Sequence, residues 1–292
     1  LIASPLDRTR IRRHFDRAAP VYEQASALQR EVAARMLERL DLVRLDPAIA
    51  LDAGCGTGTV ASALAARYPR ARVIALDFSL RMLVQRWPAR SRLGRMLRAA
   101  APGLPVCADL ECLPLPAERV DLVCSNLALH WSSAPEQVLR EMHRVLRRGG
   151  LLMFTTLGPD SLRELRAALP DAAASVHAFA DMHDVGDLLV RSGFADPVMD
   201  MEHLTLTYPD LSALLRELRG SGSTNARADA PQGLKGRGWL AGLTRRYEAQ
   251  RRDGRLPATF EIVYGHAWKP EQAALRAQDG RAIVRFHSRA GS

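Results

Sequence analysis

The run Ala50-Leu51-Asp52-Ala53-Gly54-Cys55-Gly56-Thr57-Gly58 decides the fold. Ile49 to Leu51 read as a short buried strand, closed by an acid and followed by three glycines at alternate positions. Beyond them Val60, Ala61, Leu64 and Ala65 recur at helical spacing. Strand, glycine turn and helix in that order open a dinucleotide-type α/β domain. Glycine suits a turn that must bend tightly and approach a ligand with no Cβ in the way. The spacing GxGxG differs from the GxGxxG of turns that cradle dinucleotide phosphates. Asp52, directly before the turn, would repel a pyrophosphate and suits a ligand that carries an ammonium group.

The same pattern repeats outward from this turn. Val73 to Leu76 form a second buried strand ended by Asp77, 25 residues after Asp52. An acid there can accept both hydroxyls of a ribose. Ser79 is placed to cap the next helix, through Met82 and Leu83. Residues 105–110 read as a third strand ending at Asp109. Residues 120–126 read as a fourth, running into Leu127-Ala128-Leu129-His130-Trp131. In doubly wound sheets the ligand crevice lies outside the carboxyl ends of the central strands, so the tail of the fourth faces the reacting group. A helix over 136–146 stops at Gly149-Gly150, and residues 151–155 form the fifth strand.

Both ends of the chain add to this core. Residues 1–45 carry one or two amphipathic helices. Tyr22, Ser26 and Gln29 at i, i+4 and i+7 share a helix face, either a docking face or a cover over the site. Beyond Thr156, Asp160 and Ser161 can cap a helix through Leu169, and a second helix spans 182–191. A strand follows over 194–208, and Pro209-Asp210 opens a helix through Leu218. Residues 226–237 have few apolar side chains and are expected to be mobile. A helix over 240–251 leads to a last strand over 259–268, antiparallel to the others. The tail from Pro270 is expected to be poorly ordered.

Bulk properties narrow the class. The 292 residues are 47% hydrophobic and 25% charged, enough for one large soluble α/β domain. The net charge is +9, yet only Lys235 and Lys269 of the 41 basic residues are lysines. An acidic partner and an arginine-biased solvated surface both account for that balance. Four cysteines without zinc spacing suggest small buried thiols in a reducing compartment. No apolar run reaches membrane-spanning length and no secretory signal is evident, so a cytoplasmic protein is expected. No metal-ligand cluster stands out. The fourth strand lacks the Asn/Asp-Pro-Pro-aromatic turn of amino-methylating DNA enzymes, and no cysteine is placed to attack a pyrimidine.

The glycine turn, Asp77, Asp109 and Asn126 stand in order at βαβ spacing. Over about residues 45–160 the chain resembles class I S-adenosylmethionine-dependent methyltransferases. That resemblance implies a Rossmann-like α/β fold with a mostly parallel seven-stranded sheet whose last strand is antiparallel. It divides the chain into an N-terminal helical lid (1–45), a methyltransferase domain (46–269) with a helical insertion at about 209–255, and a flexible tail (270–292). It implies S-adenosylmethionine held by Asp52, Ala53, Gly54, Cys55, Gly56, Gly58, Asp77, Phe78, Ser79, Met82, Asp109, Leu110, Asn126 and Leu127. Within that set Asp109 would meet the adenine amino group and Leu110 would pack on its ring.

A narrower resemblance covers nearly the whole chain. It rests on Phe15-Asp16-Arg17-Ala18-Ala19-Pro20-Val21-Tyr22, Leu28-Gln29-Arg30, Ser125-Asn126-Leu127-Ala128-Leu129-His130-Trp131 and Phe154-Thr155-Thr156-Leu157-Gly158. Gly222-Ser223-Thr224-Asn225 and Thr259-Phe260-Glu261-Ile262-Val263-Tyr264 complete it. Together these segments look like the malonyl-acyl-carrier-protein O-methyltransferase family of biotin synthesis. The family methylates the free carboxylate of a malonyl thioester. The resemblance implies substrate contacts at Tyr22, Gln29, His130, Trp131 and Asn225, with Tyr22 and His130 aligning the reactants, and no metal. It implies an acidic acyl-carrier protein carrying malonyl-phosphopantetheine as partner, with no nucleic acid or membrane and a monomeric enzyme. Arg86 to Arg98, and the group Arg216, Arg219 and Arg227, are the candidate docking patches. Three alternatives stay open: an arginine hydroxylase like a complex I assembly factor, a C-methyltransferase of a quinone-like ring, and a non-catalytic binder of S-adenosylmethionine.

Overall fold

The computed structural model describes residues 6–87, 103–171, 176–229 and 236–271. Seven strands form one sheet: β1 (Ile49–Ala53), β2 (Arg72–Asp77), β3 (Leu104–Cys107), β4 (Val120–Ser125), β5 (Leu146–Leu157), β6 (Ala195–Tyr208) and β7 (Leu256–Trp268). Their order across the sheet is β3-β2-β1-β4-β5-β7-β6. Strands β1 to β5 pair in parallel, and β7 runs antiparallel to both β5 and β6. The expected sheet is therefore present. The chain leaves β1 toward β2 on one side and returns to β4 on the other. That reversal opens a crevice at the carboxyl ends of β1 and β4, where Asp52 and Ser125 lie.

The core explains why these runs are strands. Successive side chains point to opposite faces, so a central strand buried on both sides reads as continuous apolar sequence. Ala50, Leu122, Leu151 and Met153 join one cluster with α3 (Ala27–Leu40), α4 (Thr59–Arg67), α7 (Arg163–Ala168) and α10 (Arg237–Glu248). Leu51, Val123, Leu152 and Phe154 join the other, against α6 (Pro135–Val145) and α8 (Met182–Arg191). The remaining helices are α1 (Arg8–Ala18), α2 (Tyr22–Ala25), α5 (Leu80–Arg86) and α9 (Leu211–Gly220).

Several expectations need correction. Tyr22, Ser26 and Gln29 do not share one helix face, because the chain breaks at Ser26 (φ −108°, ψ 39°) between α2 and α3. Gly149-Gly150 does not end α6, which stops at Val145. The pair lies inside β5, where Gly149 N–H donates to Lys269 O and Lys269 N–H donates to Gly150 O, both at 2.9 Å. Asp160 and Ser161 do not cap α7. The Ser161 hydroxyl donates to Glu261 O instead, and Leu162 holds the cap position at φ 58°. Cys107 and Cys112 are exposed, whereas Cys55 and Cys124 are buried. Ala226 is fully buried, and Asp7 N–H donates to its carbonyl at 2.8 Å, so the start of the 226–237 stretch is anchored. Residues 230–235, the arginines from Arg90 to Arg98 and the tail from residue 272 lie outside the described residues. Among the described residues no helix is long and apolar enough to cross a membrane.

Candidate active site

The glycine turn is held from both sides. Gly54 and Cys55 N–H groups donate to Leu76 O at 2.8 and 2.9 Å, and Gly56 N–H donates to Asp77 Oδ2 at 2.8 Å. Gly54 has φ +81°, and a Cβ there would lie 2.5 Å from the Ala128 Cβ, so β1 and the tail of β4 approach through it. Gly58 has φ +84°, and a Cβ there would lie 2.4 Å from the Trp87 ring. Its reason to be glycine is thus Trp87, at the end of α5, as much as any ligand.

Asp52 sits beneath the turn and is 1% exposed. Its Oδ2 accepts Ala61 N–H at 2.7 Å, while Oδ1 is buried with no hydrogen-bond partner. An unpaired buried carboxylate oxygen is costly, and an ammonium donor would satisfy it. Burial pushes the Asp52 carboxyl up to about 7 and the Asp77 carboxyl up to about 6. Asp77 accepts Gly56 N–H and, through Oδ1, Ser79 N–H at 2.8 Å. Each of its oxygens keeps a second lone pair for a hydroxyl. These residues fit the ammonium and the ribose of S-adenosylmethionine.

In front of them lies a cavity of about 350 Å³, within the range of small-ligand sites. Of the residues expected at the cofactor, Gly54, Gly56, Asp77, Phe78, Asp109, Leu110, Asn126 and Leu127 line it. Asp52, Ala53, Cys55, Gly58, Ser79 and Met82 do not. Ser79 and Met82 are fully buried, Ser79 capping α5 through Met82 N–H and donating its hydroxyl to Asp16 at 2.6 Å. They support the wall from behind. Asn126 lines the cavity, yet its amide is engaged: Nδ2 donates to Gln29 O and Oδ1 accepts the Thr155 hydroxyl, both at 2.9 Å. It ties the end of β4 to α3. Leu127 next to it has φ 50°, a strained conformation of the kind that clusters at functional sites.

All five residues expected at the substrate, Tyr22, Gln29, His130, Trp131 and Asn225, line the same cavity. Tyr22 lies over the glycine turn, its hydroxyl 3.6 Å from where a Gly56 Cβ would be. His130 is enclosed by Trp131 and Phe179, with ring centroids 5.2 and 5.5 Å away, and its Nδ1 is 3.3 Å from the Thr156 hydroxyl. Burial, helped by nearby His177, pushes its imidazole down to about 3, and burial pushes His177 down to about 4. Both rings are neutral at physiological pH.

The structure adds residues that sequence reasoning missed. Phe15 of α1 packs edge-on against Trp131 at 5.3 Å and Phe78 at 5.9 Å, which brings α1 to the wall of the cavity. Arg8 pairs with Asp109 and with Glu111, at 2.9 Å to the latter. Val176, His177 and Phe179 form a wall from an irregular segment that carries no periodic signal. The docking group divides: Arg219 lines the cavity, and Arg216 is exposed. Arg227 is 13% exposed and paired with Asp229. Asp160, His203 and Glu261 bring donor atoms within 4.8 Å of one another, but none of the three lines the cavity. The Glu261 carboxylate there accepts Asp160 N–H at 2.7 Å, which folds the loop after β5.

Known proteins resemble this chain in sequence and in fold. Residues 51–154 match a methyltransferase-domain family. A malonyl-[acyl-carrier protein] O-methyltransferase of Methylovorus sp. (strain MP688) is 51% identical, over 98% of this chain and 97% of that protein. The protein of the same name from Laribacter hongkongensis (strain HLHK9) is 52% identical, over 97% of each. Among solved structures, the YcgJ protein of Bacillus subtilis matches with a TM-score of 0.55 at 17% identity, covering 81% of this chain and 98% of that one. Phosphoethanolamine N-methyltransferase 2 of Haemonchus contortus, in complex with S-adenosylhomocysteine, matches with a TM-score of 0.51 at 16% identity, covering 82% and 52%. The two structures show the fold. The full-length identity shows the family: the chain belongs to the malonyl-[acyl-carrier protein] O-methyltransferases, S-adenosylmethionine-dependent enzymes of the class I fold.

Proposed function

We propose that this chain transfers the methyl group of S-adenosylmethionine to the free carboxylate of a malonyl thioester on acyl-carrier protein, the step that opens biotin synthesis. The observation that carries the reading is the state of the acceptor wall. His130, at the turn after β4, is enclosed by Trp131, Phe179 and Thr156 and has no carboxylate partner among the described residues to raise its basicity. With its affinity for a proton lowered to about 3, it is a poor base. An acceptor that must lose a proton finds little help here. A carboxylate, with a reference pKa near 4, arrives already ionised. Bound S-adenosylmethionine supplies an electrophilic methyl on a sulfonium, whose positive charge is also the counter-ion of the acceptor.

The protein's part is then alignment and exclusion of water. Alignment of two reactants can lower a barrier by roughly 7–11 kcal/mol. Asp52 and Asp77 fix one reactant, and Tyr22, His130 and Trp131 shape the space for the other. A ring C-methyltransferase would need a base at this wall, and a hydroxylase would leave the methyl donor unused. The +9 charge suits an acidic carrier in the cytoplasm.

The test compares acceptors that differ only at the nucleophile. Malonyl-carrier protein and its terminal amide are offered with S-adenosylmethionine, and S-adenosylhomocysteine is followed. Release with the acid alone is expected. Equal release with the amide would overturn the carboxylate as acceptor.

A further inference from the structure

Among the described residues, two guanidinium groups line the cavity, Arg8 and Arg219. Arg8 is engaged by Asp109 and Glu111. Arg219, on the last turn of α9, is exposed and has no ion pair or side-chain hydrogen bond among the described residues. Its acidic neighbour Glu217 also lines the cavity, with its charge close to the Tyr208 hydroxyl. Exposed and without an ion pair among the described residues, the Arg219 guanidinium is open to an anion at the rim of the cavity.

The interior beyond it is different. Leu157, Leu162, Leu165, Val176, Phe179 and Phe260 give that end an apolar lining. Moving an unpaired ion into such a lining costs several kcal/mol. On the proposed function, the substrate brings two anionic groups: the malonyl carboxylate and, at the far end of the pantetheine arm, a phosphate. The carboxylate has the sulfonium as counter-ion. The phosphate has none inside, and its place is at the mouth.

We propose that Arg219 binds the phosphate of the phosphopantetheine arm and so sets the enzyme's preference for phosphorylated thioesters. The inference rests on the proposed function. Arginine suits the task, because its planar fork gives two parallel hydrogen bonds to phosphate oxygens while the long stem reaches from the helix end. Solvent screening at an exposed site keeps the contribution modest, up to about fivefold in affinity.

The experiment uses malonyl-phosphopantetheine and malonyl-pantetheine, which differ only in the phosphate. Binding to the wild-type chain is read by calorimetry, and KM and kcat are read for methyl transfer. Wild type is expected to bind the phosphorylated thioester up to about fivefold more tightly. Arg219→Gln is expected to lose that difference through KM, with kcat at saturation retained, and Arg219→Lys to restore part of it. S-adenosylmethionine affinity and Tm serve as controls for folding. Equal weakening of both thioesters by Arg219→Gln would overturn the inference, since it would place the arginine at the carboxylate or give it only a helix-end role. An unchanged preference would overturn it as well. Failure of the functional reading looks different: wild type would bind S-adenosylmethionine yet methylate neither thioester, while the calorimetric comparison would still decide the role of Arg219.

Discussion

The two ends of the cavity are built in different ways. The cofactor end stands on the tips of adjacent parallel strands: Asp52 closes β1, Asp77 closes β2, and the glycine turn is hydrogen-bonded between them. Its charges are fixed by short backbone contacts. The acceptor end draws on α1, α2, α3, the turn after β4, residues 157–165 and 176–179, α9 and β7. Its polar groups there include neutral imidazoles, and its walls are leucines and aromatic rings. The contrast suits a reaction in which one reactant must be gripped by charge and the other only aligned. Substitutions should accordingly cost most at the strand tips and least at the imidazoles.

The largest effect is expected at Gly54→Ala. A left-handed φ of +81° costs an alanine about 1–2 kcal/mol, and the 2.5 Å approach to Ala128 adds about 1–3 kcal/mol of overpacking. Together these predict a loss of S-adenosylmethionine affinity on the order of 100-fold, read by calorimetry. Adding Ala128→Gly should recover the overpacking part and leave the φ part. Recovery of full affinity would mean that the clash alone sets the requirement for glycine.

Asp52→Asn comes next. On the proposed placement of the ammonium against the unpaired Asp52 oxygen, loss of the charge should weaken S-adenosylmethionine binding by about 10- to 100-fold, the range of a hydrogen bond to a charged group. The wild-type pH dependence has a definite sign. Burial raises Asp52 to about 7 and Asp77 to about 6, so below those values the site holds protons that an ammonium ligand must displace. Affinity should rise with pH to about 7 and then level off, with proton release visible as buffer-dependent heat. The ligand-free fold behaves oppositely. Its unfolded chain ionises these acids near pH 4, so the two subtract stability as pH rises from about 4 to about 7. Asp52→Asn should therefore raise the Tm of the ligand-free protein at pH 8 while weakening binding. A fall in both would show that Asp52 has a structural role outside this account.

The smallest effect is expected at His130→Phe. The ring packing with Trp131 and Phe179 is kept and the contact to Thr156 is lost, so kcat should drop by no more than about tenfold. Because the imidazole is held down to about 3, wild-type kcat should be flat between about pH 6 and pH 8. General-base catalysis contributes about 100- to 10,000-fold, so a loss of that size, or a rising limb in this window, would make His130 a base.

The same contrast explains how far the sequence could be read. A parallel strand and the acid at its tip are contiguous in sequence. Asp52, Asp77 and the glycine turn were legible because local hydrophobic runs end at them. The strands themselves followed from the same runs, while the antiparallel direction of β7 came with the family resemblance. The acceptor end is assembled across long separations, as Phe15 meets Trp131 and Phe78. No local period announces that Val176, His177 and Phe179 will form a wall. The resemblance brought Tyr22, Gln29, His130, Trp131 and Asn225 together, but periodicity alone had put Tyr22 and Gln29 on one helix that Ser26 in fact interrupts. Ser161 misled for a related reason: its hydroxyl serves Glu261, a hundred residues away, rather than its own helix. Ser79 and Met82, which the resemblance implied at the cofactor, do not line the cavity; both are buried, and Ser79 caps α5 through Met82 N–H.

The most direct test of the whole account is the product itself. Purified protein is incubated with S-adenosylmethionine and malonyl-acyl-carrier protein, and the carrier is analysed by mass spectrometry with fragmentation of the released arm. The account predicts a single methyl group, located on the terminal carboxylate of the malonyl unit, with one S-adenosylhomocysteine formed for each. A bound cofactor with no methyl gain, or a methyl group at the central carbon of the malonyl unit, would contradict it.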